Sequence, residues 1–487
     1  MFCVIHYSLI LDWVYYGLMV VYGVTIVSII CVVLSENRNP VKSLAWVTIL
    51  LLLPLLGIVL YIFFGRSIKN TAMISRRNRR KLKRREGVSP RVDYRKLELS
   101  HESRQLVILG RSVGGSGLYQ DNSVKIFTDG AEKLESLLAD LRSATTSINL
   151  QYYIIADDET GRKVAQVLKE RAAAGVKVRV IYDHVGSFRT RSRFFKDLRK
   201  AGVEAYPFFK VSFPQLGTKI NWRNHRKICI IDDRVGYIGG MNLADRYVHG
   251  SSLGKWRDTH LRVEGRFTAA LTYSFAVDWA FMGRRLELAE KELPRQSAPE
   301  SEHTHTAAMQ LVTSGPTGQW SNLAFLFLRA IAGAKKRIFI QTPYFLPTEA
   351  LLKALQQAAL AHVDVRLMIP RHTDSRMLTL ASASYITECL RAGIKIYFYE
   401  GGMLHSKTMI VDDELSTVGS TNFDFRSFEH NFESNAFIYS KEVNRALVNA
   451  FMSDLGQSRR VYPDQWRKRS LAQRAAESLV RLLSPIL

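Results

Sequence analysis

Two stretches of this chain carry the same residues at the same spacing: His225-Arg226-Lys227 followed by Asp232, and His405-Ser406-Lys407 followed by Asp412. Each runs on into a turn of small residues closed by an asparagine, Gly239-Gly240-Met241-Asn242 and Gly419-Ser420-Thr421-Asn422. These are residue types for phosphoryl chemistry. A neutral imidazole can attack phosphorus and hold it covalently, dividing one hard displacement into two, while a lysine stabilises the non-bridging oxygens as charge moves. With two imidazoles, one attacks as free base while the other, protonated, releases the alcohol; in the second step the roles reverse. Asn242 and Asn422 offer neutral donors for a phosphate oxygen or a lysine. The scheme needs no metal and no other cofactor, and the histidines and cysteines show no spacing typical of zinc ligands.

The neighbouring residues say what holds these groups. Ile228-Cys229-Ile230-Ile231 and Thr408-Met409-Ile410-Val411 predict a strand entering a tight turn. A period of two puts His225 with Lys227, and His405 with Lys407, on one face about 7 Å apart. Asp232 and Asp412 complete the catalytic motifs from the opposite parity, near the turn, in a supporting role. Cys229 shares the phase of Lys227 and reads as a small apolar filler, and His260 as a residue held by a structural hydrogen bond.

The repetition extends beyond the motifs. Ser147-Ile148-Asn149-Leu150-Gln151 answers Arg337-Ile338-Phe339-Ile340-Gln341, Val176–Ile181 answers Val363–Met368, and Ala201-Gly202-Val203 answers Ala392-Gly393-Ile394. In each half the order is helix, strand, helix, strand, helix, strand, then motif, which predicts an α/β fold of two similar α/β/α halves with a parallel or mixed sheet. The halves span residues 111–293 and 309–458, joined by a polar linker at 294–308. Each copy of the motif supplies one histidine, so the site must form where the halves meet.

Ahead of the halves lie two uncharged runs, Trp13 to Leu34 and Leu44 to Phe64, about 22 and about 21 residues long, each enough to cross a bilayer core. They predict two transmembrane helices within residues 1–65. No Lys or Arg precedes Trp13, so the first run lacks the basic flank of a cleaved leader. A neck at 66–110 follows, with ten Lys or Arg against one Glu between Arg66 and Glu86. The positive-inside rule puts this neck and the halves on the cytoplasmic side of a multi-pass membrane protein. The net charge of +24 then finds its partner in anionic lipid rather than nucleic acid. Scattered cysteines, Cys3, Cys31, Cys229 and Cys389, form no disulfide framework. At the end, residues 459–487 hold an amphipathic helix with Leu471, Ala475, Leu479, Leu482 and Leu483 in one stripe, suited to a membrane surface or to packing on the catalytic halves.

The paired motifs resemble the HKD motifs of the phospholipase D superfamily, from about Val124 to the mid-450s. The resemblance implies that His225, Lys227, Asn242, His405, Lys407 and Asn422 line one shared site. It also implies an acid one strand later to orient each histidine: Asp258 for the first copy and Glu433 for the second. Within the superfamily the chain is most similar to bacterial cardiolipin synthases, through Glu36-Asn37-Arg38-Asn39-Pro40, Gln151-Tyr152-Tyr153-Ile154-Ile155, Ser314-Gly315-Pro316 and Asn422-Phe423-Asp424-Phe425-Arg426. That implies phosphatidyl transfer between two phosphatidylglycerol molecules, giving cardiolipin and glycerol, with His225 as nucleophile by family habit. The same resemblance implies that the membrane is the inner membrane of a bacterium. The alternatives are another phosphatidyltransferase or phospholipase of the superfamily and, more distantly, a basic nuclease; no interleaved aromatic and basic stripe supports nucleic acid.

Overall fold

The structure is a computed structural model that describes residues 2–35, 40–61, 98–209, 222–284 and 305–484. The basic run at 66–86 and nearly all of the linker lie outside these residues.

The N-terminal unit begins with a helix over Phe2–Ser35. Its segment Asp12–Cys31, 20 residues, is the one helix among the described residues long and apolar enough to cross a membrane. The second apolar run is not one continuous span. It forms two short helices, Pro40–Leu52 and Pro54–Leu60. Proline has no N–H to donate and pushes the preceding residue out of helical geometry, and Leu53 sits at φ −133°, ψ 64°. The chain then doubles back. Trp46 meets Tyr61 edge-on at 5.3 Å, and a Cβ on Gly57 would stand 3.0 Å from the Ile49 carbonyl oxygen, so glycine permits the close return.

The catalytic unit holds both repeats. The first contributes strands β1 (Leu118–Phe127), β2 (Ser147–Tyr152), β3 (Lys177–Tyr182), β4 (Glu204–Pro207), β5 (Ile228–Ile231), β6 (Val235–Gly239), β7 (Trp256–Arg257) and β8 (His260–Glu264). The second contributes β9 (His305–Ser314), β10 (Arg337–Gln341), β11 (Phe345–Leu346), β12 (Asp364–Pro370), β13 (Lys395–Tyr399), β14 (Met403–Leu404), β15 (Thr408–Val411), β16 (Leu415–Gly419), β17 (Phe423–Asp424), β18 (Glu433–Tyr439) and β19 (Ser458–Val461). Fifteen of these form one mixed sheet in the order β19-β13-β12-β10-β15-β16-β18-β9-β1-β8-β6-β5-β2-β3-β4. Apart from the added edge β19, the order reads as a palindrome about the antiparallel pair β1–β9. The repeats are thus joined edge to edge through two strands that the sequence comparison left unmatched.

The strands nearest each motif are buried on both faces, which is why their sequences are continuous apolar runs rather than alternations. Each half keeps its own core, one built on Leu137, Ile148, Val180 and Cys229 and the other on Leu326, Ile338, Leu367 and Met409. Cys229 is therefore the expected filler, its thiol pushed up to about 12 by burial.

Three boundaries shift. A helix over His101–Gly114, N-capped by Ser100, buries Leu106 and Val107 in the core of the second half and pairs Glu102 with Arg329 at 2.6 Å, so the neck ends before residue 100. The linker ends by residue 304, because His305 begins β9. The C-terminal segment opens with the edge strand β19, paired to β13, before its helices Pro463–Arg467 and Leu471–Arg481.

Candidate active site

The histidine and lysine of each motif lie just ahead of β5 and β15, in backbone that leaves its own half and pairs with the other. His225 N–H donates to the Phe432 carbonyl (2.9 Å), and Phe432 N–H donates to that of Arg223 (2.8 Å). Likewise Met403 N–H donates to Lys255 (2.9 Å) and His405 N–H to Arg257 (2.7 Å), extending the parallel pair β14–β7.

These bridges set each imidazole against the acid that follows them in the opposite half. His225 Nδ1 lies 3.0 and 3.2 Å from the two carboxylate oxygens of Glu433. His405 Nδ1 lies 2.6 Å from Asp258 Oδ2. The expected pairing is therefore exchanged: Glu433 orients His225, and Asp258 orients His405. Sequence offsets within one repeat cannot reveal this, because the exchange is made by hydrogen bonds between repeats.

Both lysines are buried. Lys227 Nζ donates to the His225 carbonyl at 2.5 Å and stands 5.3 Å over the Tyr153 ring, which itself lies edge-on to His225 at 4.8 Å. Lys407 Nζ donates to the His405 carbonyl, lies 2.7 Å from His405 Nδ1 and stands 3.9 Å from Asp258. Burial pulls Lys227 well below the ordinary lysine range and Lys407 to about 8, with Asp258 and Glu433 pulling both the other way. Burial also lowers both histidines, and each feels the lysine of the opposite motif. The two motifs thus share one electrostatic environment, in which both rings rest toward the neutral form.

Asn242 and Asn422 occupy matching turns after β6 and β16. The first is engaged by the protein: its Oδ1 accepts from Ile154 N–H (3.1 Å) and its Nδ2 donates to the Tyr247 hydroxyl (2.7 Å), and Tyr247 lies edge-on to His405 at 5.6 Å. Asn422 keeps a buried Oδ1 with no hydrogen-bond partner among the described residues.

Asp232 and Asp412, counted with the motifs, do not enter the site. Both take positive φ (54° and 49°) at the far end of their strands. Asp232 accepts from the backbone and hydroxyls of Thr145 and Thr146 and from Ser147 N–H, at 2.8–2.9 Å. Asp412 accepts from the N–H groups of Lys335, Lys336 and Arg337. Each clamps the start of β2 or β10 to the end of its motif strand. Burial opposes ionisation of Asp232, but the bonds from Ser147, Thr145 and Thr146 outweigh it and hold the carboxyl down to about 2.

Several supporting residues escaped the sequence reading. Asp278 and Asp454, on matching helices, accept from Gln151 (2.5 Å) and Gln341 (2.7 Å). Asp278 then binds Arg226 of the first motif (2.6 Å), whereas Asp454 binds Arg257 (3.0 Å), since the second motif has Ser406 where the first has Arg226. The paired glutamines were visible in the repeat; their partners lie over a hundred residues away. His260 differs from expectation: its ring is fully buried, with neither nitrogen hydrogen-bonded among the described residues, and it stacks on Tyr152 at 6.4 Å. Arg223 and Arg257, close to the motif histidines in the bridging backbone, face Asp183 and Asp454.

Comparison with known proteins bears on this geometry. A family model described as "Cardiolipin synthase, PLD-like domain" matches residues 137–266 and 327–455, one match per repeat. A second, described as "Phospholipase D-nuclease N-terminal", matches residues 23–66. The chain is 40% identical to "Cardiolipin synthase 2" of Bacillus anthracis over 94% of this chain and 89% of that one. It is 38% identical to "Cardiolipin synthase" of Listeria monocytogenes serotype 4a, over 93% and 95%. Among solved structures, phosphatidylserine synthase of Haemophilus influenzae superposes with a TM-score of 0.59 at 13% identity, covering 79% of this chain and all of that one, which shows the shared fold. With both repeats matched and near-complete coverage by such relatives, the chain belongs to the cardiolipin synthase family of phospholipase D-like proteins.

Proposed function

We propose that this enzyme, a phosphatidyltransferase by family, transfers a phosphatidyl group from one phosphatidylglycerol to the terminal hydroxyl of a second, forming cardiolipin and releasing glycerol. The observation that carries the reading is the pair of histidine–acid couples, each built from both halves, with a buried lysine beside each ring. Hydrogen-bonding Nδ1 to a carboxylate turns Nε2 to phosphorus or to a proton, and at His405 that nitrogen also lies 3.3 Å from Lys407 Nζ.

In the first step Nε2 of His225 attacks phosphorus, the bond to the glycerol oxygen breaks, and His405 delivers the proton that the leaving alkoxide takes up. In the second step His405 removes the proton of the incoming hydroxyl, the new P–O bond forms, and the P–N bond breaks. A phosphodiester brings negative charge beside the two rings, which favours protonation of one of them against the effect of burial. Lys227 and Lys407 stabilise the non-bridging oxygens throughout. Glu433, held below the ordinary carboxylate range by His225, Lys227 and Ser420 against the effect of burial, keeps the nucleophile's Nδ1 protonated.

The helix over Asp12–Cys31 anchors the chain in the bilayer, and the basic run at 66–86 favours the cytoplasmic face, where anionic phosphatidylglycerol is both substrate and counter-charge. The test is to give the detergent-solubilised protein phosphatidylglycerol, with and without phosphatidylethanolamine, and identify lipids and released headgroups by mass. Cardiolipin with stoichiometric glycerol is expected. Phosphatidic acid as the sole lipid product would make the protein a hydrolase instead, and a covalent adduct trapped on His405 would reverse the two histidine roles.

A further inference from the structure

The C-terminal helix Leu471–Arg481 is docked the wrong way round for a water-soluble protein. Its polar side faces inward: Glu477 is 3% exposed and takes ion pairs and hydrogen bonds from Arg469 and from Gln473 (3.2 Å). Arg481 reaches Glu388 at 2.5 Å on the helix Arg376–Arg391, and Trp466, just ahead, donates to Thr387 at 3.2 Å. Its apolar side faces outward. Leu471 is 79% exposed, Leu479 68% and Leu482, directly after the helix, 76%. At 3.6 residues per turn these three and the exposed Ala475 fall within about 80° of one another.

The sequence offers a membrane surface or the catalytic halves as the covering for this helix; the structure gives the halves to one side and leaves the leucines over. An aqueous surface has no use for such a stripe, since apolar area is worth burying wherever a nonpolar phase is in reach. The charges point to one phase. Exposed Arg474 flanks the stripe and exposed Arg467 and Lys468 precede it, with Asp464 as the acid nearby in sequence on the solvent side. Leucines bordered by cations match the boundary of an anionic bilayer, which takes the side chains among its acyl chains and the cations among its headgroups. A second copy of the chain would present the same cations to this face and repel them.

We infer that Leu471, Leu479 and Leu482 insert into the surface of an anionic bilayer, making the C-terminal helix a second membrane contact of this protein. The supporting helix Arg376–Arg391 begins beside Asp374, whose charge acts on His405 and Lys407, and it carries exposed Met377 at that end. The insertion would therefore steady the second motif's side of the catalytic unit against the lipid.

The test uses the full chain in nanodiscs, with Cys3 and Cys31 replaced by serine and a nitroxide placed through Leu479→Cys or Leu482→Cys. Expected is free collision with oxygen, which dissolves in lipid, and loss of collision with a water-soluble nickel chelate, more complete when the discs contain phosphatidylglycerol than phosphatidylcholine alone. Full nickel access at both positions would overturn the inference. So would spin–spin broadening that disappears on dilution with unlabelled protein, which would assign the face to a second copy. As an independent arm, the double variant Leu479→Glu/Leu482→Glu should lose turnover of bilayer phosphatidylglycerol but keep that of a short-chain, monomerically dissolved analogue; equal turnover of both would also overturn it. The nitroxide result stands whatever reaction the site performs.

Discussion

The two motif sites are near-copies in backbone and differ in what surrounds the acid. Behind His225, Glu433 accepts from Ser420, from Asn431 at 3.2 Å and from the imidazole itself. Behind His405, Asp258 accepts from Thr259 N–H at 2.7 Å and the imidazole, and the residue equivalent to Ser420 is Gly240. A Cβ on Gly240 would lie 2.1 Å from Asp258 Oδ1. One half thus uses a long acid with a hydroxyl beneath it, the other a short acid with the space beneath it emptied. The electrostatic result follows: burial raises Asp258 to about 6, whereas Glu433 stays below its ordinary range because the charges of His225 and Lys227, with the hydrogen bonds from His225 and Ser420, outweigh burial. The two half-sites thus repeat one backbone and differ under their acids, at Ser420 and Gly240.

The largest expected effect removes the comparison altogether. His225→Ala and His405→Ala should each abolish cardiolipin formation, read by lipid mass, because each motif supplies only one of the two imidazoles; near-normal turnover in either would break the shared site. Next, Lys227→Ala and Lys407→Ala should each lower turnover at least about a hundredfold, roughly 2.7 kcal/mol of transition-state stabilisation.

Changes under the acids should then separate the halves. Gly240→Ala should cost activity nearly as severely as losing Asp258, since the methyl displaces a buried carboxylate. Ser420→Ala should cost only about tenfold, one charge-assisted hydrogen bond of about 1.5 kcal/mol. Equal losses in kcat/KM would mean that the asymmetry has no catalytic meaning.

A pH profile sharpens the lysines. Lys407, lowered to about 8 by burial, loses its charge as pH rises through that value, so kcat/KM, which reports the free enzyme, should fall on the alkaline side near 8. Lys407→Arg, if active, should lack that limb.

The smallest effect concerns Asp232 and Asp412. Asp232→Asn should leave turnover within a few-fold of the parent and lower thermal stability by about 1–2 kcal/mol. Because the folded carboxyl lies at about 2 against an ordinary 3.8, its contribution is present above 3.8 and disappears as pH falls toward 2, so parent and variant should converge there.

Much of this was legible in the linear chain. A histidine two residues before a lysine, repeated with the same small-residue turn, states its chemistry by residue type, and the repeated order of elements predicts the α/β halves because apolar periodicity is local. The supporting role of the aspartates followed from strand parity, although their clamp on β2 and β10 did not, and the sequence reading still counted them with the catalytic residues. The second apolar run reads as one span by hydropathy, yet Pro54 and Gly57 turn it back on itself; composition counts apolar residues and does not see the direction of the chain.

By itself the sequence determined which groups are the candidates for the chemistry, that they come in two sets, and that an apolar helix accompanies them, since identity, spacing and hydropathy are properties of neighbours along the chain. Only the tertiary structure decided which acid serves which histidine, that the leucines of the last helix face outward, and that Gly240 and Ser420 make the half-sites unequal. Those outcomes rest on hydrogen bonds and contacts between segments as much as two hundred residues apart, for example His225 and Glu433, and no local pattern encodes the partner of such a contact.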